Sequence, residues 1–555
     1  MKAKNTFRYI IPFIFFVSVV TASFSQNENN FEIAKNFDIY TSLFGQLNTN
    51  YVDDINPGEL MQTGIEAMLG SLDPYTVYIP ESKVEDYKLI TTGQYGGIGA
   101  LIHKQGDYVV ISEPYEGFPA LEAGLKAGDK IIEINGKSAK GKKADEVSEI
   151  LKGQPGSPVT LKIKRYDLDK PLGFEILREK IKIDNIPYSG MLNDHIGYIK
   201  LVGFTQNAGN EVKKAFMDLK RDKIIDGLIL DLRSNGGGLL MEAVNITNIF
   251  VDKGKLVVST KGKLTEKNQD HITRYIPVDK SIPLVILVNH SSASASEIVA
   301  GAIQDFDRGV IIGQRTFGKG LVQHVIPLSY NAQAKITVAK YYIPSGRCIQ
   351  AIDYSHKDGN GEFNIIPDSL ISEFQTSNGR KVYDGGGIDP DINLEAHSFS
   401  NIATSLFAKY LIFDYATQFA AEHPEIPAPE DFEITDEIFN DFIEYISDKD
   451  YDYTTKCEKK LEQLEEAARK ENYFDAVETE FESLKTALMH NKEEDLVTHK
   501  DEIKELLKID IISRYYYQRG KILASIKDDP EIKEAVELLD DRPLYDSILS
   551  GRIND

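Results

Sequence analysis

Three short apolar runs constrain this chain most: Ile196-Gly197-Tyr198-Ile199, Gly227-Leu228-Ile229-Leu230 and Leu284-Val285-Ile286-Leu287-Val288. A strand with no polar face must be covered on both sides. Amphipathic segments alternate with the runs, from Asn210 to Leu219, Met241 to Phe250 and Glu297 to Phe306, so residues 181–396 predict a layered α/β domain. At 555 residues the chain is too long for one core, since single cores stop growing at roughly 250 to 300 residues. Helical spacing of Phe37, Tyr40, Leu43 and Leu47, then Leu60, Ile65, Met68 and Leu69, predicts a helical N-terminal domain over 31–84, with a turn at Leu72-Asp73-Pro74. Residues 88–167 change to short alternating runs with Gly-rich turns and predict a β-rich module. The remainder, 398–555, is helical and acidic, and the fold class is multidomain α/β.

Lys2, Lys4 and Arg8 precede an apolar run from Tyr9 to Val20, and small residues Ser23 and Ser25 follow, which is the pattern of a secretory signal over 1–25. The expectation is cleavage after Ser25 and a protein exported to the periplasm or cell envelope; an uncleaved anchor, which would associate the chain with a membrane, is the alternative. The formal charge of −23 argues against broad binding to nucleic acid. Residues 401–555 hold 38 acidic and 19 basic side chains and read as a variable, solvated part whose charge serves solubility. Cys348 and Cys457 stand apart, with no CxxC, so neither a zinc ribbon nor a disulfide scaffold is indicated, and a single bridge between them stays open.

Gly96-Gly97-Ile98-Gly99-Ala100 opens a strand, and its glycines let successive amides face one point, which suits capture of a terminal carboxylate. A plain β-turn explains the same residues. Downstream come Pro114, the stretch Ala120-Leu121-Glu122-Ala123-Gly124-Leu125-Lys126-Ala127-Gly128-Asp129, and Ile131-Ile132-Glu133-Ile134-Asn135-Gly136. In this order they resemble a PDZ domain over 88–167. That resemblance implies a module binding C-terminal tails, with Gly97, Ile98 and Gly99 at the peptide carboxylate.

The run Leu284–Val288 leads into Asn289-His290-Ser291-Ser292-Ala293-Ser294-Ala295-Ser296-Glu297 and then a helix. A hydroxyl between a strand end and a helix N-terminus is sharply presented beside free amides, a good place for a nucleophile. Ser294 and Glu297 also have the S-x-x-E spacing of a capping box, and both readings stand at this point. Next, Gly313-Gln314-Arg315-Thr316-Phe317-Gly318-Lys319-Gly320 imitates a phosphate-binding P-loop, but Gly320 replaces the Ser or Thr that would hold magnesium, and a strand-like run follows. If that run is a strand, Lys319, Leu321 and Gln323 share a face and His324 points away. A neutral lysine amine can deprotonate a serine once desolvation lowers its pKa from about 10.4 by about three units. Gln323 can hold that amine without adding charge. Asn235-Gly236-Gly237-Gly238 joins a strand end to a helix start, so amides converge there that can hold an oxyanion.

Together with Gly385-Gly386-Gly387-Ile388-Asp389-Pro390-Asp391, these segments resemble the C-terminal processing (tail-specific) serine peptidases over roughly residues 35 to 395. The resemblance implies a peptidase core over 181–396 with Ser294 as nucleophile, Lys319 as general base, Gln323 as its positioner, and Gly238 and Ala295 as oxyanion-hole donors. The interval of 25 residues from Ser294 to Lys319 agrees with that family and decides against Ser292 and Ser296. Past residue 400 the resemblance is expected to lapse. The reaction implied is acyl transfer on protein or peptide substrates bound by their tails, needing no metal or cofactor; oligomerisation is left open. One rival uses His290 and Asp231 as base and orienter. Another is an inactive scaffold that only binds tails.

Overall fold

The computed structural model describes residues 30–357, 363–396 and 398–552, so the expected signal segment lies outside the described residues. Two compact units divide the chain between Tyr78 and Ile79. In the first, helix α1 (30–50) precedes α2 (Pro57–Gly70), whose start is set by Pro57 and by the Asn56 side chain accepting from the Gly58 and Glu59 amides. Asp73 closes the following turn by accepting from the amides of Tyr75 and Thr76.

The second unit opens with α3 (Val84–Thr92) and then strand β1 (Gln94–Gly97). An antiparallel sheet follows in the order β2 (Ala100–Gln105), β3 (Tyr108–Pro114), β4 (Lys130–Ile134), β5 (Pro158–Lys164) and β6 (Leu172–Leu177). Strict alternation in β5 buries Val159, Leu161 and Ile163 and exposes their neighbours, as a sheet with one wet face requires. Helix α4 (Ala144–Leu151) adds Val147 and Leu151 to that core. The module thus runs past the expected boundary at residue 167 to take in β6, while α3 contributes elsewhere.

The core sheet has six strands in the order β7 (Tyr188–Met191), β8 (Ile196–Lys200), β9 (Gly227–Asp231), β11 (Leu284–Val288), β12 (Val310–Gly313) and β15 (Ile392–Asn393). Only β7 runs antiparallel to its neighbour. Helices α5 (Ala208–Asp222), α6 (Leu240–Phe250) and α7 (Ala295–Asp305) cover one face, packing Val212, Phe216, Val244, Ile249, Val299 and Ile303 against Leu228, Leu230, Ile286 and Val288. Strand β10 (Leu256–Gly262) joins a hairpin of β13 (Leu321–Pro327) and β14 (Gln333–Tyr342) in a second, antiparallel sheet.

The other face of the core sheet corrects the reading of the acidic extension as solvated. Ile229, Val285, Leu287 and Ile312 pack there against Ile532, Ala535, Leu538 and Leu539 of α10 (Pro530–Asp540) and Tyr545 of α11 (Arg542–Leu549). The Tyr545 hydroxyl lies 2.9 Å from the Leu284 amide nitrogen and 3.1 Å from its carbonyl oxygen. Acidic residues also have structural partners, since Arg233 is 2.7 Å from Asp529 and 2.5 Å from Glu531. Net charge hid this role because the apolar stripe of an amphipathic helix, not its charge, decides what it covers. Earlier in the extension, α8 (Leu411–Glu422) and α9 (Lys500–Ile526) share a core built on Tyr415, Phe419, Leu507 and Ile511. They rest on the β-rich module: His103 stacks on Tyr410 at 4.3 Å, and Lys521 donates to Glu113 at 2.9 Å.

Cys348 and Cys457 are both free, so the single bridge left open by the sequence is not formed. Among the described residues no helix is long and apolar enough to cross a membrane.

Candidate active site

Ser294 caps α7 with φ +56 and ψ −111, a conformation that side-chain-bearing residues rarely adopt. Such strain costs on the order of 1–3 kcal/mol and persists only where the surroundings over-determine it. They do so here. The Ser294 amide donates to Glu297 Oε2 at 2.7 Å, and the Ser294 carbonyl accepts from the Ile298 amide at 3.0 Å. The Glu297 half of the capping box expected from the S-x-x-E spacing is thus in place. The neighbouring serines are committed: Ser292 Oγ donates to the Leu232 carbonyl at 2.9 Å and Ser296 Oγ to the Asn235 carbonyl at 2.8 Å, and both residues are fully buried.

The segment from Gly313 to Gly320 returns to the same carboxylate. Glu297 Oε1 accepts from Thr316 Oγ1 at 2.6 Å and from the Gly318 amide at 2.7 Å, while Oε2 accepts from the Lys319 amide at 2.9 Å. Thr316 is fixed in turn by the Gly385–Asp391 turn, whose Ile388 amide donates to Thr316 Oγ1 at 2.7 Å. Burial dominates and raises the Glu297 carboxyl pKa above its ordinary value, against the opposing pull of hydrogen bonds from Thr316, Lys319, Gly318 and Ser294. With donors in all four lone-pair positions, the ionised form is the one this cage fits. The Tyr341 hydroxyl adds a second tie, lying 3.1 Å from the Ser294 carbonyl oxygen and 2.5 Å from that of Lys319.

The glycine turn lies flush against the serine. Asn235, wholly buried, accepts from the Gly237 amide at 2.9 Å and donates to the Leu201 carbonyl at 2.8 Å, while its own carbonyl accepts from the Ala293 amide at 3.1 Å. Gly237 has φ +93, and a Cβ there would stand 2.6 Å from the Ala293 carbonyl oxygen and 2.9 Å from Ser294 Cβ, so only glycine permits this approach. The amides of Gly238 and Ala295 donate to no backbone acceptor among the described residues, as an oxyanion site requires.

Ser294, Lys319, Gln323, Gly238 and Ala295 all line one cavity of about 270 Å³. Its walls also include Tyr87, Ile90 and Thr91 from α3, Leu239 and Leu240 at the start of α6, Ile298, Leu321, Val322, Lys335 and Tyr341. A register slip between Val322 and Gln323 lets both adjacent side chains reach it, where plain alternation would allow one. The rival pair is not assembled: His290 is exposed and off this cavity. Asp231 is buried, 3.0 Å from Lys200 and 2.6 Å from Arg233; against the cost of burial, those two cations hold its carboxyl below the usual range. The sequence reading gave Glu297 only a capping role, took Asn235 only as the first residue of the glycine turn, and passed over Tyr341 and the α3 residues; the S-x-x-E spacing was the signal available for Glu297.

At the other expected site, Gly97 ends β1, paired antiparallel with Glu179–Lys182. The Ile98 carbonyl accepts from the Ala120 amide at 2.8 Å and that of Gly99 from the Tyr115 amide at 2.9 Å. The amides of Ile98 and Gly99 donate to no backbone acceptor among the described residues. Beside them β2 is an edge strand of its sheet, the geometry for adding an extended peptide.

A family profile described as "Peptidase family S41" matches residues 195–357, a "PDZ domain" profile matches 110–165, and one described as "Probable PDZ-protease, C-terminal helical domain" matches 402–539. The last corrects the expectation that the resemblance lapses near residue 400. A carboxy-terminal-processing protease of Bartonella bacilliformis is 36% identical over 359 residues, which is 64% of this chain and 79% of that protein. A probable CtpA-like serine protease of Staphylococcus aureus is 35% identical over 316 residues, 57% of this chain and 62% of that protein. Among solved structures, a photosystem II D1 C-terminal processing protease is 27% identical with a TM-score of 0.35, covering 64% of this chain and 92% of its own.

Proposed function

Because the chain belongs to peptidase family S41, as a carboxy-terminal-processing serine protease with a PDZ domain, we propose that it hydrolyses peptide bonds by a Ser294–Lys319 acyl-enzyme mechanism. The neutral Lys319 amine takes the Ser294 proton as Oγ attacks the scissile carbonyl. Amides of Gly238 and Ala295 receive the oxyanion, and Gln323 orients the amine. The lysine proton passes to the leaving amine, and a water activated by Lys319 releases the acyl group as a carboxylic acid. No metal or cofactor enters these steps.

The observation that carries this reading is the convergence of those five residues on one cavity with Ser294 held at φ +56. Substrates are protein tails, held by the amides of Gly97, Ile98 and Gly99 and paired along β2. The protein works outside the cytoplasm after the segment 1–25 is removed, which N-terminal sequencing of the mature protein checks. The central test is Ser294→Ala: tail binding is retained and cleavage of an unfolded substrate falls by at least about 10³-fold. Lys319→Ala falls likewise, whereas an inactive scaffold would show no cleavage in the parent. Amidating the substrate's C-terminus weakens cleavage if the PDZ domain delivers the tail.

A further inference from the structure

The acidic extension reaches the loops of the candidate active site through one carboxylate. Asp529 starts α10, its side chain accepting from the amides of Glu531 and Ile532 at 2.9 and 3.0 Å, and Pro530 fixes the first turn. Glu531 is buried beyond this cap, at the carboxyl end of the core sheet, where two segments meet it. Its Oε2 accepts from Arg233 Nη1 at 2.5 Å, and its Oε1 accepts from Gln314 Nε2. Arg233 follows β9 and leads into the Asn235–Gly238 turn, whose last amide is assigned to the oxyanion. Gln314 follows β12 and stands five residues before Lys319.

Both segments are held at their other ends. The Arg233 guanidinium forks onto fully buried Asp231, with Nη2 2.6 Å from Oδ2 and Nε 3.0 Å from Oδ1. The next residue, Ser234, donates its amide to Asn289 Oδ1 at 2.9 Å, where the turn carrying Ser294 begins. The Gln314 amide donates to the Val288 carbonyl at 3.1 Å, and Thr316, two residues on, enters the Glu297 cage. One carboxylate of the extension therefore bridges the oxyanion turn and the lysine segment, and through Ser234 and Asn289 it also reaches the serine turn.

We propose that Glu531 is a positioning residue for the reaction, setting the distance between the oxyanion turn and the lysine segment so that the C-terminal extension contributes directly to turnover. The inference rests on the assignment of Ser294 and Lys319 as the reacting pair. Glu531 acts through Arg233 and Gln314. The Glu297 cage keeps part of the geometry without it, so the expected loss is about tenfold, short of the roughly 10²-fold that a 1 Å misplacement can cost.

The test uses the full-length protein, an unstructured substrate with a free tail, and variants that separate position from stability. Glu531→Ala removes both bonds: kcat falls about tenfold with KM within about twofold of the parent, and labelling of Ser294 by a phosphonate slows in step. Leu538→Ala on the same helix thins the apolar cover of the sheet, so Tm falls while kcat holds at temperatures where the variant stays folded. Gln314→Glu sets two carboxylates together and lowers kcat. Adding Glu531→Gln exchanges donor and acceptor at the parent's net charge, and kcat returns to within about threefold of the parent. Circular dichroism melts establish folding, and if Glu531→Ala does not fold, the exchange carries the test. Unchanged kcat in folded Glu531→Ala, an equal loss in Leu538→Ala, or no recovery in the double variant overturns the positioning role. Cleavage persisting in Ser294→Ala overturns the catalytic assignment and this role with it, whereas an inert Ser294→Ala beside an unaffected Glu531→Ala removes the positioning role alone.

Discussion

Beneath Ser294, the Glu297 carboxylate meets donors at all four of its lone-pair positions. By contrast, where α8 and α9 rest on the PDZ module, His103 Nε2, Gln105 Oε1 and Arg514 Nε are buried with no protein partner. Both clusters are polar and largely dry. A complete cage over-determines the geometry it encloses, while an unmatched buried polar atom costs about 1–3 kcal/mol and weakens the contact that buries it. The contrast is one of completeness: the first cluster fixes the backbone of Ser294 and Lys319, the pair proposed above to react, and the second is a contact less fully paired.

Glu297→Gln breaks the comparison most sharply. The amide nitrogen brings two hydrogens to positions already filled by donors, so Ser294 and Lys319 lose their common anchor, and kcat falls by about 10³-fold in single-turnover assays. Gly237→Ala comes next, since its Cβ meets the backbone on both sides of Ser294; about 10²-fold is expected, with labelling by a serine-directed phosphonate slowed in step. Tyr341→Phe removes one tie while leaving the carboxylate cage, and kcat falls about tenfold with little change in KM.

The smallest effect lies at the docking contact. Burial and the Arg514 charge hold the His103 pKa below its ordinary value, against a weaker pull from Asp510. The docked ring therefore binds its proton less readily than the released ring. Docking is fully stabilised above the ordinary histidine pKa, about 6.5, and weakens as pH falls below it. His103 stacks on Tyr410 and meets Phe413 edge-on, its Nδ1 lies 2.6 Å from Ser112 Oγ, and Asp414 of α8 is close by on Gln105; these face it besides Arg514 and Asp510. His103→Phe keeps the stacking and removes the titration. The difference in Tm between pH 7.5 and pH 5.5 should then shrink by about one or two degrees relative to the parent.

The two clusters were not equally legible in the sequence. Ser294 and Lys319 stand out because local features carry them: a hydroxyl at a strand-to-helix junction, and a lysine between glycines before an alternating strand. Glu297 was visible only as a cap, because the spacing that caps a helix also places a carboxylate under the turn, and Thr316 and Gly318 reach it only through tertiary folding. Tyr341 is 47 residues from Ser294, beyond any local pattern. The apolar faces of α10 and α11 announce that they cover something, but amphipathicity does not name the surface covered. His103 sits in an ordinary alternating strand, and its ring partners Tyr410 and Phe413 lie some three hundred residues downstream, with Arg514 on α9 some four hundred.

The placement of α10 and α11 has a consequence for timing in the cell. Strand β12 is complete at Gly313, yet the far side of its sheet stays bare until residues near Tyr545 have been made. At about 5–20 residues per second, translation leaves that interval open for roughly ten to fifty seconds. Covering this sheet is therefore a long-range event, closed by a segment far downstream of the strands it protects.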